Sequence, residues 1–290
     1  TSDIFSAEDL LSKPDLFAGF EPPVRLAVIG DPIAHSKSPA FQNAALHACG
    51  IPVAYARLHV PPSEFAKVLR ALPGAGFLGA NVTIPHKASA LAGVDVADAY
   101  ARASGSVNTI VVSGEKLHGF NTDGPGISRA IREEFSRDLR DLRVVLVGAG
   151  GGAGRAIAVQ CAMEKCARLV LVNRTFEKAQ LLAAELAPYF LSEPTSGSDD
   201  RVVSIRLEDG DLRRELKNAD ILINATSLGM DRSDAPVVAA SLLHSNLLVY
   251  DAVYTRGGSR LLDDAVAAGA RAANGLGMLL HQGALAFEIW

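Results

Sequence analysis

Three features of the sequence predict an α/β protein built from two units. Short β-branched runs alternate with longer stretches of helical apolar spacing, the pattern of parallel strands joined by crossover helices. One such run, Arg143-Val-Val-Leu-Val147, leads directly into a glycine-rich turn and then a helix. The length, 290 residues, is about that of two average domains.

In the first half, Val24–Ile29 reads as a strand and Pro39–Cys49 as a helix. Val53–Leu58 is a strand, Ser63–Leu72 a helix, and Ala80–Thr83 a short strand before a helix that starts near Lys87. Val107–Val112 and Leu117–Phe120, separated by Ser-Gly-Glu-Lys, form a hairpin. Asp123–Glu134 is helical, and the charged segment SRDLRDLR after it suits a boundary, so the units join near residues 123–142. The second alternation has strands at Arg143–Val147, Leu169–Asn173, Val202–Ile205, Ile221–Asn224 and Leu247–Asp251. Its helices are Arg155–Lys165, Phe176–Leu186, Leu261–Ala268 and Gly277–Ile289, with SEPTSGSDD as a polar loop.

Composition narrows the function. The chain has 28 basic and 32 acidic residues, a formal net charge of −4, which argues against a nucleic-acid partner. Apolar residues make up 49%, ample for a core, but no apolar run reaches the ~18 residues of a membrane span. No basic start followed by an apolar block marks a signal peptide. Cys49, Cys161 and Cys166 form no C-x-x-C pair and the histidines have no ligand spacing, so no metal is expected. These features suit a cytoplasmic protein acting on small molecules, as a monomer or homodimer.

The glycine turn is the nucleotide signal. A pyrophosphate needs backbone N–H groups at a helix N-terminus and no side-chain bulk in front of them. Gly148-x-Gly150-x-x-Ala153 meets the three needs of tight turn, close approach and close helix packing, with Ala149, Gly151 and Gly152 lying alongside. Glycine clusters are often plain turns; the strand before and the helix after favour the nucleotide. The next strand ends in Asn173-Arg174-Thr175 where NAD-binding versions place a carboxylate. An arginine there pairs with a 2′-phosphate, so NADP is expected over NAD.

The chemistry signal lies in the first half. Ser36-Lys-Ser38, Asn81-Val-Thr83-Ile-Pro-His-Lys87, Asn108 in Ser-Val-Asn-Thr, and Asn121-Thr-Asp123-Gly all flank strands. Each alone reads as a cap, a turn or a solvated lysine. Together, such hydroxyls and amides suit a polyhydroxylated ring.

GDPIAHSKSP, GANVTIPHK, GSVNT, GFNTDG, VGAGG, NRT, INATSLGM and NGLGMLLHQGALAF follow one another from about residue 25 to the C-terminus. In this order they resemble the shikimate dehydrogenases. The resemblance implies reversible, NADP-dependent reduction of the ring ketone of 3-dehydroshikimate to shikimate. It makes Lys87 and Asp123 the catalytic pair, and Ser36, Ser38, Thr83, Asn108, Tyr254 and Gln282 the substrate-binding set. Residues Asn173–Lys178 join the glycine turn in holding the cofactor, with Thr226, Ala252 and Gly275 along it. The implied fold is an N-terminal substrate domain with a mixed, mainly parallel sheet, a Rossmann-like NADP-binding domain, and a catalytic cleft between them. The C-terminal helix returns to the first domain, so the implied limits are 1–122 with 274–290, and 123–273.

Physical reasoning supports the pair. Hydride arriving at a ketone leaves negative charge on oxygen, and a protonated lysine supplies a proton or a positive charge there. One departure stands out. GAGGGAGRA is one residue longer than the family's usual turn, which leaves open which glycine faces the pyrophosphate and whether Arg155 reaches the 2′-phosphate. The alternatives are a quinate/shikimate dehydrogenase of broader range, a non-catalytic ligand sensor on the same scaffold, and another two-domain NADP oxidoreductase such as a folate dehydrogenase. The presence of both Lys87 and Asp123 weighs against the sensor, and the SKS and NTDG clusters against the last.

Overall fold

A computed structural model describes residues 4–191, 201–254 and 258–290. The loop expected at 192–200 lies outside them. The chain divides into two compact units, residues 1–122 with 283–290, and residues 123–282. The first contains β1 (Ile4–Ser6), α1 (Ala7–Ser12), β2 (Val24–Gly30), α2 (Ser38–Ala48), β3 (Ala54–His59), α3 (Phe65–Ala71), β4 (Gly79–Val82) and α4 (Lys87–Gly93). It continues with β5 (Val96–Ala97), α5 (Ala99–Ser104), β6 (Thr109–Ser113) and β7 (Lys116–Phe120).

The strand order is β1-β3-β2-β4-β6-β7-β5. Strands β1, β3, β2 and β4 pair in parallel, while β4–β6 and the β6–β7 hairpin are antiparallel. The alternation of β2 sends Ala27 and Ile29 into a core with Leu10, Phe17, Phe65, Leu69 and Leu72. Leu26 and Val28 point the other way, into a smaller cluster with Ile33, Leu46, Tyr55, Phe287 and Trp290. The first 23 residues, silent in sequence, hold an edge strand and a helix. Ser6 caps α1, with Asp9 reaching back to the Ser6 N–H at 2.9 Å. Three strand residues are too few to show a period.

The second unit contains α6 (Asp123–Phe135), β8 (Arg143–Val147), α7 (Gly152–Met163), β9 (Arg168–Val172), α8 (Phe176–Leu186), β10 (Val202–Ile205), α9 (Asp209–Leu216) and β11 (Ile221–Asn224). It ends with β12 (Leu248–Asp251), α10 (Arg260–Ala267), β13 (Arg271–Asn274) and α11 (Leu276–Ile289). All six strands are parallel, in the order β10-β9-β8-β11-β12-β13. Their near-continuous apolar runs follow from burial on both faces: Val144, Val145, Leu146 and Val147 are all buried. The segment SRDLRDLR is not the boundary but part of this unit, because Leu139 and Leu142 are buried in it while the charges point out. Strand β13 escaped the sequence reading because Arg-Ala-Ala-Asn carries no β-branched residue.

Helix α11 crosses the division at Gln282/Gly283. Within the second unit the Met278 N–H donates to the Tyr250 hydroxyl at 3.0 Å, and Gly126 gives the room that Gln282 fills. Within the first, Gln42 donates to the Gly283 carbonyl at 2.9 Å, and Trp290 donates to the Ile110 carbonyl at 2.9 Å. No helix among the described residues is long and apolar enough to cross a membrane.

Candidate active site

The second unit carries its candidate groups just beyond the carboxyl ends of five adjacent strands. Register sets Val172, Val147, Asn224, Asp251 and Asn274 side by side, so the loops after them open along one edge. The chain leaves β8 for β9 and β10 and returns to β11 on its other side, which makes β8/β11 the point where the loops part and leave a crevice.

The glycine turn sits there. Gly148 has φ +89°, and a Cβ on it would lie 2.8 Å from the Thr226 methyl. A Cβ on Gly150 would meet Asn173 and Lys178 at 3.0 Å, and the Gly150 N–H donates to Asn173 Oδ1 at 3.3 Å. A Cβ on Gly154 would stand 2.1 Å from the Gly148 carbonyl oxygen. The close-packing role expected of Ala153 therefore belongs to Gly154. The longer turn starts α7 at Gly152, which brings residue 154 rather than 153 to face back onto the turn.

No side chain caps α7, so its first N–H groups are presented as an anion would need them. Ala149, Gly150, Lys178, Leu181 and Leu182 line a cavity of about 200 Å³ beside the turn. Arg155 lines it too, but its guanidinium pairs with Glu185 at 2.7 Å. Arg174 is exposed at the end of β9 and bonds to none of the described residues; Thr175 and Lys178 are exposed beside it. Ala252 and Gly275 stand back to back, since a Cβ on Gly275 would come within 2.0 Å of the Ala252 carbonyl oxygen. Glycine backbone, an uncapped helix start and cationic side chains at β9 fit a nucleotide with an additional phosphate.

In the first unit the same logic runs through a mixed sheet. Ser36 and Ser38 follow β2, and Thr83 and Lys87 follow β4. Asn108 precedes β6, yet β6 runs antiparallel to β4, so its start lies at the edge where β4 ends. Phe120 pairs with Thr109, which brings the end of β7 to that edge as well.

Behind this edge lies a buried chain of amides and hydroxyls. Tyr55 donates to Asn81 Oδ1 at 2.7 Å, and Asn81 Nδ2 donates to the Asn108 carbonyl at 3.2 Å and to Thr109 Oγ1 at 3.1 Å. Asn108 Nδ2 donates to Thr122 Oγ1 at 3.0 Å, and Asn108 Oδ1 accepts the Thr122 N–H at 2.9 Å. Burial pushes the Tyr55 phenol well above its ordinary pKa, against a smaller opposing pull from Ser38. Ser36 Oγ accepts the Ser38 N–H at 3.3 Å, and Arg57 grips the Ser36 carbonyl. Lys87 opens α4, with its carbonyl taking the Val107 N–H at 3.0 Å. A larger cavity, about 850 Å³, lies at the other edge of this sheet, among Val24, Ala54, Phe5 and Phe20.

Asp123, Tyr254 and Gln282 belong to the second unit. Asp123 is buried as the first residue of α6, directly after Thr122. Tyr254 is partly exposed, with burial raising its pKa. Gln282 donates to the Leu279 carbonyl at 2.8 Å.

Comparison with known proteins decides the family. The shikimate dehydrogenase substrate binding domain matches residues 28–110, the shikimate/quinate 5-dehydrogenase family residues 130–239, and the shikimate 5′-dehydrogenase C-terminal domain residues 275–290. The shikimate dehydrogenase (NADP(+)) of Methanopyrus kandleri is 41% identical over 268 residues, covering 91% of this chain and 89% of its own. The chain belongs to the shikimate dehydrogenase family. Its fold matches the crystal structure of a shikimate dehydrogenase in complex with NADP+ at a TM-score of 0.82, with 36% identity over 91% of this chain and 88% of that one. It also matches the Thermus thermophilus shikimate 5-dehydrogenase in complex with NADP(H) and shikimate, at 0.79 with 34% identity over 92% and 93% of the two chains.

Three residues of this member went unnoticed in sequence. Tyr55 looks like one more apolar position of an alternating strand, and only its bond to Asn81 shows otherwise. Asn224 and Asp251 end β11 and β12 as fully buried polar residues. Two polar residues that close apolar runs at neighbouring strand ends were the available signal.

Proposed function

We infer that the chain is an NADP-dependent shikimate dehydrogenase, reducing 3-dehydroshikimate reversibly to shikimate. The observation that carries this reading is the placement of Ser36, Ser38, Thr83, Lys87 and Asn108 along one edge of a sheet in a member of this family. The first unit, with the end of α11, is the substrate domain, and the second is the cofactor domain.

Bound NADPH would supply the hydride to the ring carbonyl carbon. The cradle for it is Gly148, Ala149, Gly150, Gly151 and Gly152 with Asn173, Arg174, Thr175 and Lys178, flanked by Thr226, Ala252 and Gly275. Arg174 is the reader of the 2′-phosphate, since Arg155 is engaged by Glu185. Lys87 Nζ gives a proton to the carbonyl oxygen as charge develops there, and Asp123 is its partner in the pair. Ser36, Ser38, Thr83 and Asn108, with Tyr254 and Gln282, hold the substrate's hydroxyls and carboxylate. Arg57 and the Asn81–Asn108–Thr122 bonds keep the loops that carry several of these groups in place.

The ligand is a small molecule. The proposed setting is the cytoplasm, which reductive chemistry on a biosynthetic intermediate supports, and the proposed state is a monomer or homodimer. Incubation with 3-dehydroshikimate and NADPH should remove absorbance at 340 nm and yield shikimate by mass spectrometry. Shikimate binding without any turnover would instead favour a sensor.

A further inference from the structure

Asp251 ends β12 with no exposed surface, and nothing in the mechanism above uses it. Its carboxylate is fully engaged. One oxygen accepts from Asn224 Nδ2 at 2.9 Å and from the Val253 N–H at 3.1 Å, and the other accepts from the Ser259 hydroxyl. Burial raises its pKa while these three donors pull it down. A buried carboxylate costs stability unless it is fully bonded.

Each donor leads outward. Asn224 gives its other N–H to the Leu228 carbonyl at 3.2 Å, so Oδ1 is left to accept from the Thr226 N–H at 2.9 Å and from Thr226 Oγ1 at 2.7 Å. A flipped amide would set its oxygen against the Asp251 carboxylate. The Thr226 proton is thereby committed to Asn224, and one Thr226 lone pair takes the Leu228 N–H at 3.1 Å. The remaining lone pair can only accept, so Thr226 meets a ligand's hydroxyl or carboxamide N–H but gives no proton to a phosphate. On the other side, Ser259 caps α10, its hydroxyl oxygen accepting the Leu262 N–H at 3.4 Å.

We propose that Asp251 is a positioning residue for the cofactor, fixing through Asn224 the acceptor that Thr226 offers it. This rests on the functional reading above.

The test is calorimetric titration of NADP+ and of shikimate into wild type, Asn224→Ala, Ser259→Ala, Asp251→Asn and Asp251→Ala, with a thermal melt of each to show folding. Asn224→Ala should weaken NADP+ about tenfold and leave shikimate within about twofold. Ser259→Ala, which leaves the bond to Asn224 in place, should keep both ligands within about twofold. Asp251→Ala should weaken NADP+ as Asn224→Ala does, and Asp251→Asn, which keeps one acceptor oxygen, should recover part of the loss. Equal shifts for both ligands in Asn224→Ala and Asp251→Ala, or no shift in folded protein, would overturn the proposal while leaving the dehydrogenase reading intact. Wild type that binds neither ligand would overturn both. Should Asp251→Ala fail to fold, Asn224→Ala and Asp251→Asn still decide.

Discussion

At the end of β8 the candidate groups are glycine backbone and a helix start, with cationic side chains beyond β9. At the edge shared by β2, β4 and β6 they are hydroxyls and amides that bond to one another behind the surface. The second arrangement is sensitive to every partner in its network, because a buried polar atom that loses its partner keeps the full cost of desolvation. The first is sensitive to bulk: a single methyl group at Gly148 meets Thr226, and one at Gly154 meets the turn itself. A nucleotide can thus be held by shape and dipole, whereas a polyhydroxylated ring needs its donors and acceptors counted out.

Four substitutions break or sharpen this contrast. Lys87→Ala, on the substrate side, should have the largest effect, lowering kcat about a thousandfold with KM changed far less, since its interaction belongs to the transition state. An unchanged kcat would remove Lys87 from the chemistry. On the cofactor side, Arg174→Ala should weaken NADP+ by about 1.5–3 kcal/mol and leave NAD+ nearly unaffected. Equal losses for the two would show that Arg174 does not read the 2′-phosphate.

Tyr55→Phe removes the donor to Asn81 Oδ1 from a fully buried site. It should lower stability by about 1–3 kcal/mol in denaturant titration and raise the KM for shikimate but not for NADP+. A change in the cofactor KM of the same size would undo the contrast between the units.

The smallest effect lies at the end of the edge strand β1, two strands along from β2. Bonds from the Ser6 backbone and hydroxyl hold the Asp9 carboxyl below its ordinary pKa. A lowered pKa in the folded state stabilises above the unfolded value and is lost as pH falls through the folded one. Ser6→Ala should therefore cost about 1 kcal/mol at neutral pH, and the gap to wild type should narrow on acidification through the carboxylate range.

The sequence made the α/β pattern readable because both sheets depend on apolar runs at strand spacing, as in Arg143–Val147 and Ile221–Asn224. It failed where an element depends on something other than its own period. Strand β1 exists through its pairing with β3, and α9 through Leu212 and Leu216 in an otherwise charged segment. The glycine turn was legible as a motif, but its register was not. A distance between Gly154 and the Gly148 carbonyl decides which small residue packs, and the spacing of glycines alone does not contain it. Likewise Lys87 and Asn108 could be picked out as candidates from their motifs, while Tyr55 and Asp251 could not, because what distinguishes them is the partners that the fold brings to them.

The most direct measurement is the rate of absorbance gain at 340 nm with purified protein in the four combinations of shikimate or quinate with NADP+ or NAD+. Fast turnover confined to shikimate with NADP+ is the predicted result. Comparable kcat/KM with quinate or with NAD+ would contradict the assignment of a counted-out substrate site and an Arg174-read cofactor.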